Sequence, residues 1–350
     1  MPGRTLAALS QDEALPALAR ALDTRPVLPL LLRAAGRDPA DSERLVCQTE
    51  VLSYKPGRRA TIRYTLTGVG NGSAAGGPIE LVGKWYADAA MATRLYGWLS
   101  ALREGAFAAE AVLRVPTPLL LDEAAGLVVL EYLRGDDLRR VLAQDGAERP
   151  VRLAAKWLAR LHNADALPGA KTSSPLREAA KVDDWRREIA PRLPPEEATR
   201  LFRVRAAMHE LAGEMDGAAP AALIHRDYYP ANVLWDGEAV CVLDLDELRV
   251  GDPALDVGHF LAALQNLALR TTGRFDAFAA HGELFLETYL EGSRFDVRSR
   301  LPFYQAYTWL KLAAKEARRQ RESWQERARA LTGLACDAIE AASGEDARGR

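Results

Sequence analysis

The sequence predicts an α+β fold in two lobes, a small antiparallel β-sheet lobe followed by a larger, mainly helical lobe. Three observations lead there. Residues 51–54, 60–66 and 79–85 are short runs rich in β-branched and aromatic side chains, bounded by turn residues. After Gly135 the apolar residues recur instead at helical spacing. A single β interruption, over residues 222–248, falls within that helical region. A chain of 350 residues has room for two domains, or for one domain in two lobes.

Taken in order, residues 1–44 read as an N-terminal helical cover, Ala- and Leu-rich, broken at Pro26 and Pro29 and closed by a polar turn. The N-lobe is expected over residues 45–133. It holds the three strands, with a Gly-, Ser- and Asn-rich connection over 68–78 that reads as a flexible hairpin loop. A helix over 87–103 and a buried strand over 127–132, stopping at Arg134-Gly135, complete it. The C-lobe is expected over 134–342. Leu153, Trp157, Leu158 and Leu161 share one helical stripe there, as do Val257, Phe260, Leu261 and Leu264, and Phe303, Tyr307, Leu310 and Ala314. The polar, Pro-containing residues 169–197 read as a helical insertion or lid, and 343–350 as a frayed tail.

The composition, 48% hydrophobic and 27% charged, is that of an ordinary globular chain and excludes disorder as its main theme. Lys plus Arg number 46 and Asp plus Glu 48, so the formal charge of −2 supplies no basic field for nucleic acid or a membrane surface. Cys47, Cys241 and Cys336 lie far apart, without the paired spacing of a zinc site, and read as buried apolar residues in a reducing compartment. No apolar run is long enough to span a bilayer and no targeting signal opens the chain, so a cytoplasmic protein is expected.

The chemistry concentrates in residues 223–256, LIHRDYYPANVLWDGEAVCVLDLDELRVGDPALD. Two apolar runs, 233–235 and 239–243, flank Asp236-Gly237, a hairpin signal because a tight turn needs positive φ and Gly supplies it. A loop of two or three residues puts the partner of Asn232 near Cys241 or Val242, with Asp244 only a few residues on at about 3.3 Å each. Asn232, Asp244 and Asp227 then converge on one end of the hairpin. Two carboxylates and an amide oxygen at one mouth make a hard-oxygen site of the kind Mg²⁺ accepts, with waters and phosphates completing its shell. Singly, Asp227 and Asn232 are ordinary turn formers. Three such residues at one hairpin end are not a packing device.

His225-Arg226-Asp227, Asn232 five residues after the Asp and Asp244 seventeen after it resemble the catalytic segment of the aminoglycoside phosphotransferase family, small-molecule kinases with a protein-kinase-like fold. The family usually writes Gly where Arg226 stands, and I-D-x-x-D where this chain has Leu243-Asp244-Leu245-Asp246. The resemblance extends to Gly251-Asp252-Pro253, Asp256 and the upstream 158–162, and covers roughly residues 45–265. It implies a catalytic loop over 225–232 and a metal-binding segment over 243–256. Asp227 would orient the acceptor hydroxyl and take its proton, Asn232 and Asp244 would hold Mg²⁺, and Asp256 would brace the loop from the start of its helix. His225 would be a packed support, with Asp246 and Asp252 as further supporting residues; His225 and His162 otherwise read as satisfied core histidines.

The resemblance also asks for a lysine on the third strand to contact nucleotide phosphates, and Lys84 in ELVGKWY fits; an ammonium among apolar and aromatic neighbours is costly without an anionic partner. Glu104 and Glu110 are both candidate partners for it. Tyr54-Lys55-Pro56-Gly57-Arg58-Arg59 occupies the place of a phosphate-covering loop, where Arg58 or Arg59 could face ATP, though with a single Gly it equally fits a basic hairpin. Residues 129–133 resemble the interlobe hinge, whose backbone at Glu131 and Leu133 would bond adenine.

The implied reaction is transfer of the γ-phosphoryl of ATP, or GTP, to a hydroxyl of a small molecule: a sugar, an amino alcohol or an antibiotic. The helices after Gly135, residues 169–197 and the helices after Asp256 would wall the acceptor pocket. Asp183, Asp184, Trp185 and Glu188 could form an acidic and aromatic wall for a cationic acceptor, although Arg186, Arg187, Arg318, Arg319 and Arg321 crowd the same region. A protein kinase is disfavoured, because D-F-G and A-P-E are absent and seven residues separate Asp244 from Asp252. The alternative is a catalytically silent nucleotide- or partner-binding protein on a kinase scaffold.

Overall fold

In a computed structural model of the chain, the structure describes residues 12–68, 77–144 and 146–346. The chain divides into two compact units, Met1–Glu110 with Val115–Arg134, and Ala111–Arg114 with Gly135–Arg350. This is the two-lobed α+β architecture of the protein-kinase-like fold, a smaller antiparallel β lobe and a larger helical one.

The smaller unit contains helices α1 (Ala17–Leu22) and α2 (Thr24–Ala34), then strands β1 (Val46–Lys55), β2 (Arg59–Thr67) and β3 (Ile79–Tyr86) and helix α3 (Ala89–Glu104). Strand β4 (Leu113–Arg114) belongs to the larger unit, and β5 (Pro118–Asp122) and β6 (Leu127–Glu131) complete the smaller one. Its sheet has the order β1-β2-β3-β6-β5, every neighbour antiparallel. β5 has no counterpart among the strands expected from sequence: it opens on Pro118 and lies at the sheet's edge, the place where a proline is tolerated. β1 begins five residues ahead of the expected strand. It is the other edge, exposed on alternate residues, so its apolar signal is weak.

Pro26 and Pro29 do not break the N-terminal helix. Pro26 falls in the first turn of α2, where its missing N–H has no intrahelical partner to lose. Pro29 lies inside, and α2 keeps its course because Val27, Leu28, Leu31 and Leu32 are buried. Together with Leu18 and Ala21 they form one core with Ile62, Tyr64, Trp85 and Val129 of the sheet. Gly83 sits at the closest approach, since a Cβ there would come 2.8 Å from the Tyr64 ring. By strand alternation Lys84 lies on the opposite face from Gly83 and Trp85, and it is buried. Most of the 68–78 connection, residues 69–76, lies outside the described residues.

The larger unit runs through β7 (Asp136–Asp137), α4 (Leu138–Val141), α5 (Glu148–Asn163), β8 (Lys171–Thr172), α6 (Pro175–Ile189) and α7 (Pro195–Met215). It continues with β9 (Ala222–Ile224), β10 (Val233–Trp235), β11 (Val240–Val242) and β12 (Arg249–Gly251). Helices α8 (Ala254–Thr272), α9 (Ala279–Gly292), α10 (Leu301–Arg319) and α11 (Trp324–Asp346) end it. Helix thus occupies the first four residues of the expected frayed tail; 347–350 lie outside the described residues. Residues 169–197 carry α6, capped by Ser174 and packed on α10 through Trp185, whose ring meets Tyr307 edge-on at 4.8 Å. No helix among the described residues is long and apolar enough to cross a membrane.

The N-terminal helices are joined to the sheet by one polar relay inside this core. The Tyr64 hydroxyl donates to the Ala21 carbonyl at 2.9 Å and accepts from Trp85 Nε1 at 3.0 Å, and all of this is buried. Tyr64→Phe should leave both partners without a bond, costing about 1–3 kcal/mol in chemical denaturation followed by tryptophan fluorescence.

Candidate active site

The β10–β11 hairpin positions the site, and its loop is longer than expected. Val233 pairs with Val242 and Trp235 with Val240, so residues 236–239 form a four-residue loop. The Asp236 carboxylate stabilises it by accepting from the amides of Glu238 at 2.9 Å and Ala239 at 2.8 Å, and Gly237 takes φ +102°. The longer loop moves the partner of Asn232 to Leu243, whose amide donates to the Asn232 carbonyl at 2.8 Å. Asp244 follows directly, in the left-handed conformation at φ +64°.

Residues 225–232 are tied down from several sides. The buried Asp256 accepts from the backbone amides of both His225 and Arg226, the latter at 2.7 Å, and also binds His162 Nε2 at 3.1 Å. His162 completes the chain through Nδ1 to the Tyr289 hydroxyl, 2.8 Å away. His225 Nε2 donates to the Leu243 carbonyl at 2.9 Å, linking the loop to the segment that carries Asp244. Tyr228 anchors the loop from below, stacked on Trp157 with its hydroxyl donating to Ala154. Asp252 caps α8 through the Ala254 amide and pairs with Arg300 at 2.8 Å; burial pushes its carboxyl up. Asp246 is likewise buried.

Asp227 stands at the end of this scaffold. Asn232 donates its side-chain amide to the Asp227 carbonyl at 2.9 Å, which directs the remaining amide oxygen away from that bond. The Asp227 carboxylate meets Lys311 Nζ of α10 at 2.9 Å. Burial alone would raise Asp227, but Lys311 outweighs it and holds the carboxyl below its ordinary range. Burial would likewise lower Lys311; Tyr229 and Asp227 outweigh it and hold the ammonium above its usual value. Both groups are therefore charged at neutral pH. Lys311 also sits 5.2 Å from the Tyr229 ring centre, and Tyr229 stacks on the buried His259.

Beside Asp227 opens a pocket of about 770 Å³, lined by Tyr229, Asn232, Asn266, Arg270, Lys311 and Lys315 among others. Sequence reasoning missed Lys311. Its one signal is its place four residues after Tyr307, at the edge of an otherwise apolar stripe. It also missed Glu178 of α6, a buried carboxylate that holds Arg226 at 3.1 Å and contacts Lys181, Ser173 and Tyr307. Burial acts against its charge, yet Arg226 and Lys181 bring it down to about 2. The expected acidic wall is engaged elsewhere: Asp183 with Arg205, Asp184 with Arg187 and Glu188 with Arg318.

In the smaller unit, the amide of Gly57 in the YKPGRR segment donates to the Asp12 carboxylate at 2.7 Å, and Tyr54 donates to the same oxygen at 2.6 Å. That glycine amide is thus occupied by the chain itself. Arg59 is buried at the start of β2, beside Arg58 of the turn. The Glu131 carboxylate accepts from the Thr117 amide and hydroxyl at 2.7 and 2.6 Å, and Leu133 follows the end of β6.

The donor set suits magnesium. Asn232 and Asp244 adjoin through the Leu243–Asn232 bond and both offer hard oxygens, so they could hold a cation whose other ligands would be water and phosphate. Among the described residues no three His, Cys, Asp or Glu side chains group closely enough to hold a metal on their own.

Comparison with known proteins follows the same line. A profile described as the phosphotransferase enzyme family matches residues 83–304. A search of curated proteins finds no significant match. Among solved structures, a choline kinase from Cryptosporidium parvum superposes with a TM-score of 0.60 at 11% identity, covering 92% of this chain and 97% of the other. A choline/ethanolamine kinase family protein from Mesorhizobium loti gives 0.55 at 19%, covering 92% and 99%. A thermostable mutant of an aminoglycoside phosphotransferase gives 0.55 at 16%, covering 91% and 100%. At these identities the likeness shows the fold.

Two outcomes follow from the ion pairs. With Lys311→Met, the Asp227 carboxyl should titrate higher than in the unaltered protein, because burial then acts without the opposing ammonium, in a carbon-13 NMR titration of labelled aspartate. Glu178 has a folded value of about 2, below its ordinary 4.5, so its pairing stabilises the native state above pH 4.5 and is lost as pH falls toward 2. Glu178→Gln should remove that component of the pH dependence and leave Arg226 short of a partner. The cost in urea denaturation at pH 7 should fall near the lower end of about 3–5 kcal/mol, because Glu247 still faces Arg226 at 3.4 Å.

Proposed function

The chain belongs to the phosphotransferase enzyme family, and from that premise we propose that it moves the γ-phosphoryl of ATP to a hydroxyl of a small molecule bound in the pocket beside Asp227. The observation that carries this reading is the position of the Asp227 carboxylate, half-buried at the end of a fixed loop and opening on a pocket of about 770 Å³. That volume suits a ligand of metabolite or antibiotic size.

In this reading Asp227 accepts a hydrogen bond from the acceptor hydroxyl and aims its oxygen at the γ-phosphorus. As the new O–P bond forms, the bond from the γ-phosphorus to the bridging oxygen breaks, ADP leaves with that electron pair, and the hydroxyl proton passes to Asp227. Asn232 and Asp244 would hold Mg²⁺, which when bound neutralises charge on the phosphates. Lys84 would contact the nucleotide phosphates, with Arg58 and Arg59 near them, and the backbone at Glu131 and Leu133 would bond the adenine. His225, Asp246, Asp252 and Asp256 act through position, holding the loop and its neighbouring segment.

Phosphoryl transfer of this kind demands placement and charge compensation more than a strong base. A carboxylate kept ionised by Lys311 meets that demand: it orients a hydroxyl at any pH near neutrality. Asp227→Asn should lower acceptor-dependent ADP release by at least about 10³-fold while ATP binding, followed by fluorescence titration, stays within a few-fold. Undiminished turnover by that variant would overturn the reading. ATP binding without turnover across a broad acceptor panel would point to the silent scaffold instead.

A further inference from the structure

The charges around the pocket narrow the acceptor's chemistry, and this step rests on the transfer reaction just proposed. The basic side chains lining the pocket are Arg139, Arg140, Arg270, Lys311 and Lys315, against the acids Asp137 and Asp227. Two of the five are neutralised locally: Arg139 is clamped by both carboxylate oxygens of Asp137 at 2.8 Å, and Arg140 meets Asp136 at 3.2 Å. Of the other three, Lys311 is paired, Arg270 shares its partner, and Lys315 stands without one among the described residues. Arg270 lies 3.7 Å from Glu316 Oε1, while Oε2 of the same carboxylate accepts two bonds from Arg327, at 2.8 and 3.1 Å, so two guanidinium groups share one negative charge. Lys311 meets Asp227, the group assigned to the acceptor hydroxyl. Lys315, one turn further along α10, has no ion pair among the described residues, and it is held below its ordinary range by desolvation and then by Arg319, Lys311 and Arg270.

The features that would receive a cation lie elsewhere. Choline or an aminoglycoside needs carboxylates or open aromatic faces. Asp183, Asp184 and Glu188 are each paired with an arginine, and Trp185 is buried against Tyr307. The aromatic ring that does line the pocket, Tyr229, already faces the ammonium of Lys311. A cationic acceptor would thus meet like charge.

We propose that the acceptor is a hydroxy compound carrying an anionic group, a carboxylate or a phosphate, which Lys315 and Arg270 bind while its hydroxyl reaches Asp227. Carboxylate and phosphate share the chemistry that these side chains recognise, and matched acceptors separate them.

The test measures ADP release from ATP and Mg²⁺ with acceptors of one skeleton and different charge: glycerol, glycerate, glycerol 3-phosphate and serinol, then glucose, glucuronate, glucose 6-phosphate and glucosamine. We expect kcat/KM for an anionic member to exceed its neutral and cationic counterparts at least tenfold, and Lys315→Glu to lower that ratio at least tenfold. A preference for cationic or neutral members, or a ratio that Lys315→Glu leaves unchanged, overturns the inference and leaves the transfer reaction standing. If Lys315→Glu weakens ATP binding as much as the anionic acceptor, Lys315 serves the nucleotide and the inference also falls. Calorimetric titration of the Asp227→Asn protein with the same compounds makes binding independent of turnover. Anion binding that Lys315→Glu abolishes, with no turnover of any member by the unaltered protein, would keep the anion site and overturn the reaction; neither binding nor turnover would overturn both.

Discussion

One buried carboxyl group holds the site together. Asp256 stands at the start of α8 with no exposed surface, and its two oxygens take the amides of His225 and Arg226 and the ring of His162. Those amides lie in a stretch that forms neither helix nor strand, so without Asp256 they would be buried donors lacking an acceptor. The same carboxyl therefore satisfies the backbone and fixes where Asp227, one residue on, must point. Helix α5 is drawn into the arrangement through His162, and α9 through Tyr289. Three helices from two distant stretches of the chain thus agree on the position of one loop.

Arg226 shows how the loop's geometry is supported from the other side. Its φ of +68° lies in the left-handed region, which costs a residue with a Cβ about 1–2 kcal/mol. Glycine, commoner here in the family that the sequence resembles, would avoid that cost. The arginine offsets it with its guanidinium, which reaches Glu178 on α6 and Glu247 three residues after Asp244. Residues 169–197 are thereby coupled by charge to the loop that carries Asp227, and to α10 by the apolar contact of Trp185 with Tyr307. The helical insertion belongs to the support of the loop.

Much of this is legible in the sequence where the determinants are local. The apolar periodicity of α5, α8 and α10, the hairpin around Asp236-Gly237, and the spacing of Asp227, Asn232 and Asp244 are all written within short windows. The hairpin loop exceeds its expected length by a residue or two because the Asp236 carboxylate caps two amides, a side-chain effect that the turn signal does not specify. β5 escapes notice because its proline start and leucines carry little β signature. Lys311 and Glu178 are illegible for a different reason. They lie 84 and 49 positions from Asp227 in the chain, and nothing in a single sequence says which charged residue of a distant helix will meet which loop.

The balance of charge then explains why the site can be poised without being neutral. The chain's formal total of −2 hides a local separation: Asp227 on one wall, and Lys311, Lys315 and Arg270 about it. Asp227 and Lys311 each favour the other's charged form against the cost of burial. A ligand hydroxyl entering there competes for a carboxylate oxygen that already has one partner, and the second lone-pair-bearing oxygen remains for it. Binding need not break the ion pair. The lysine keeps the acid in its accepting form, the acid keeps the lysine from repelling its neighbours unopposed, and the surplus positive charge beyond that pair is what an incoming ligand experiences.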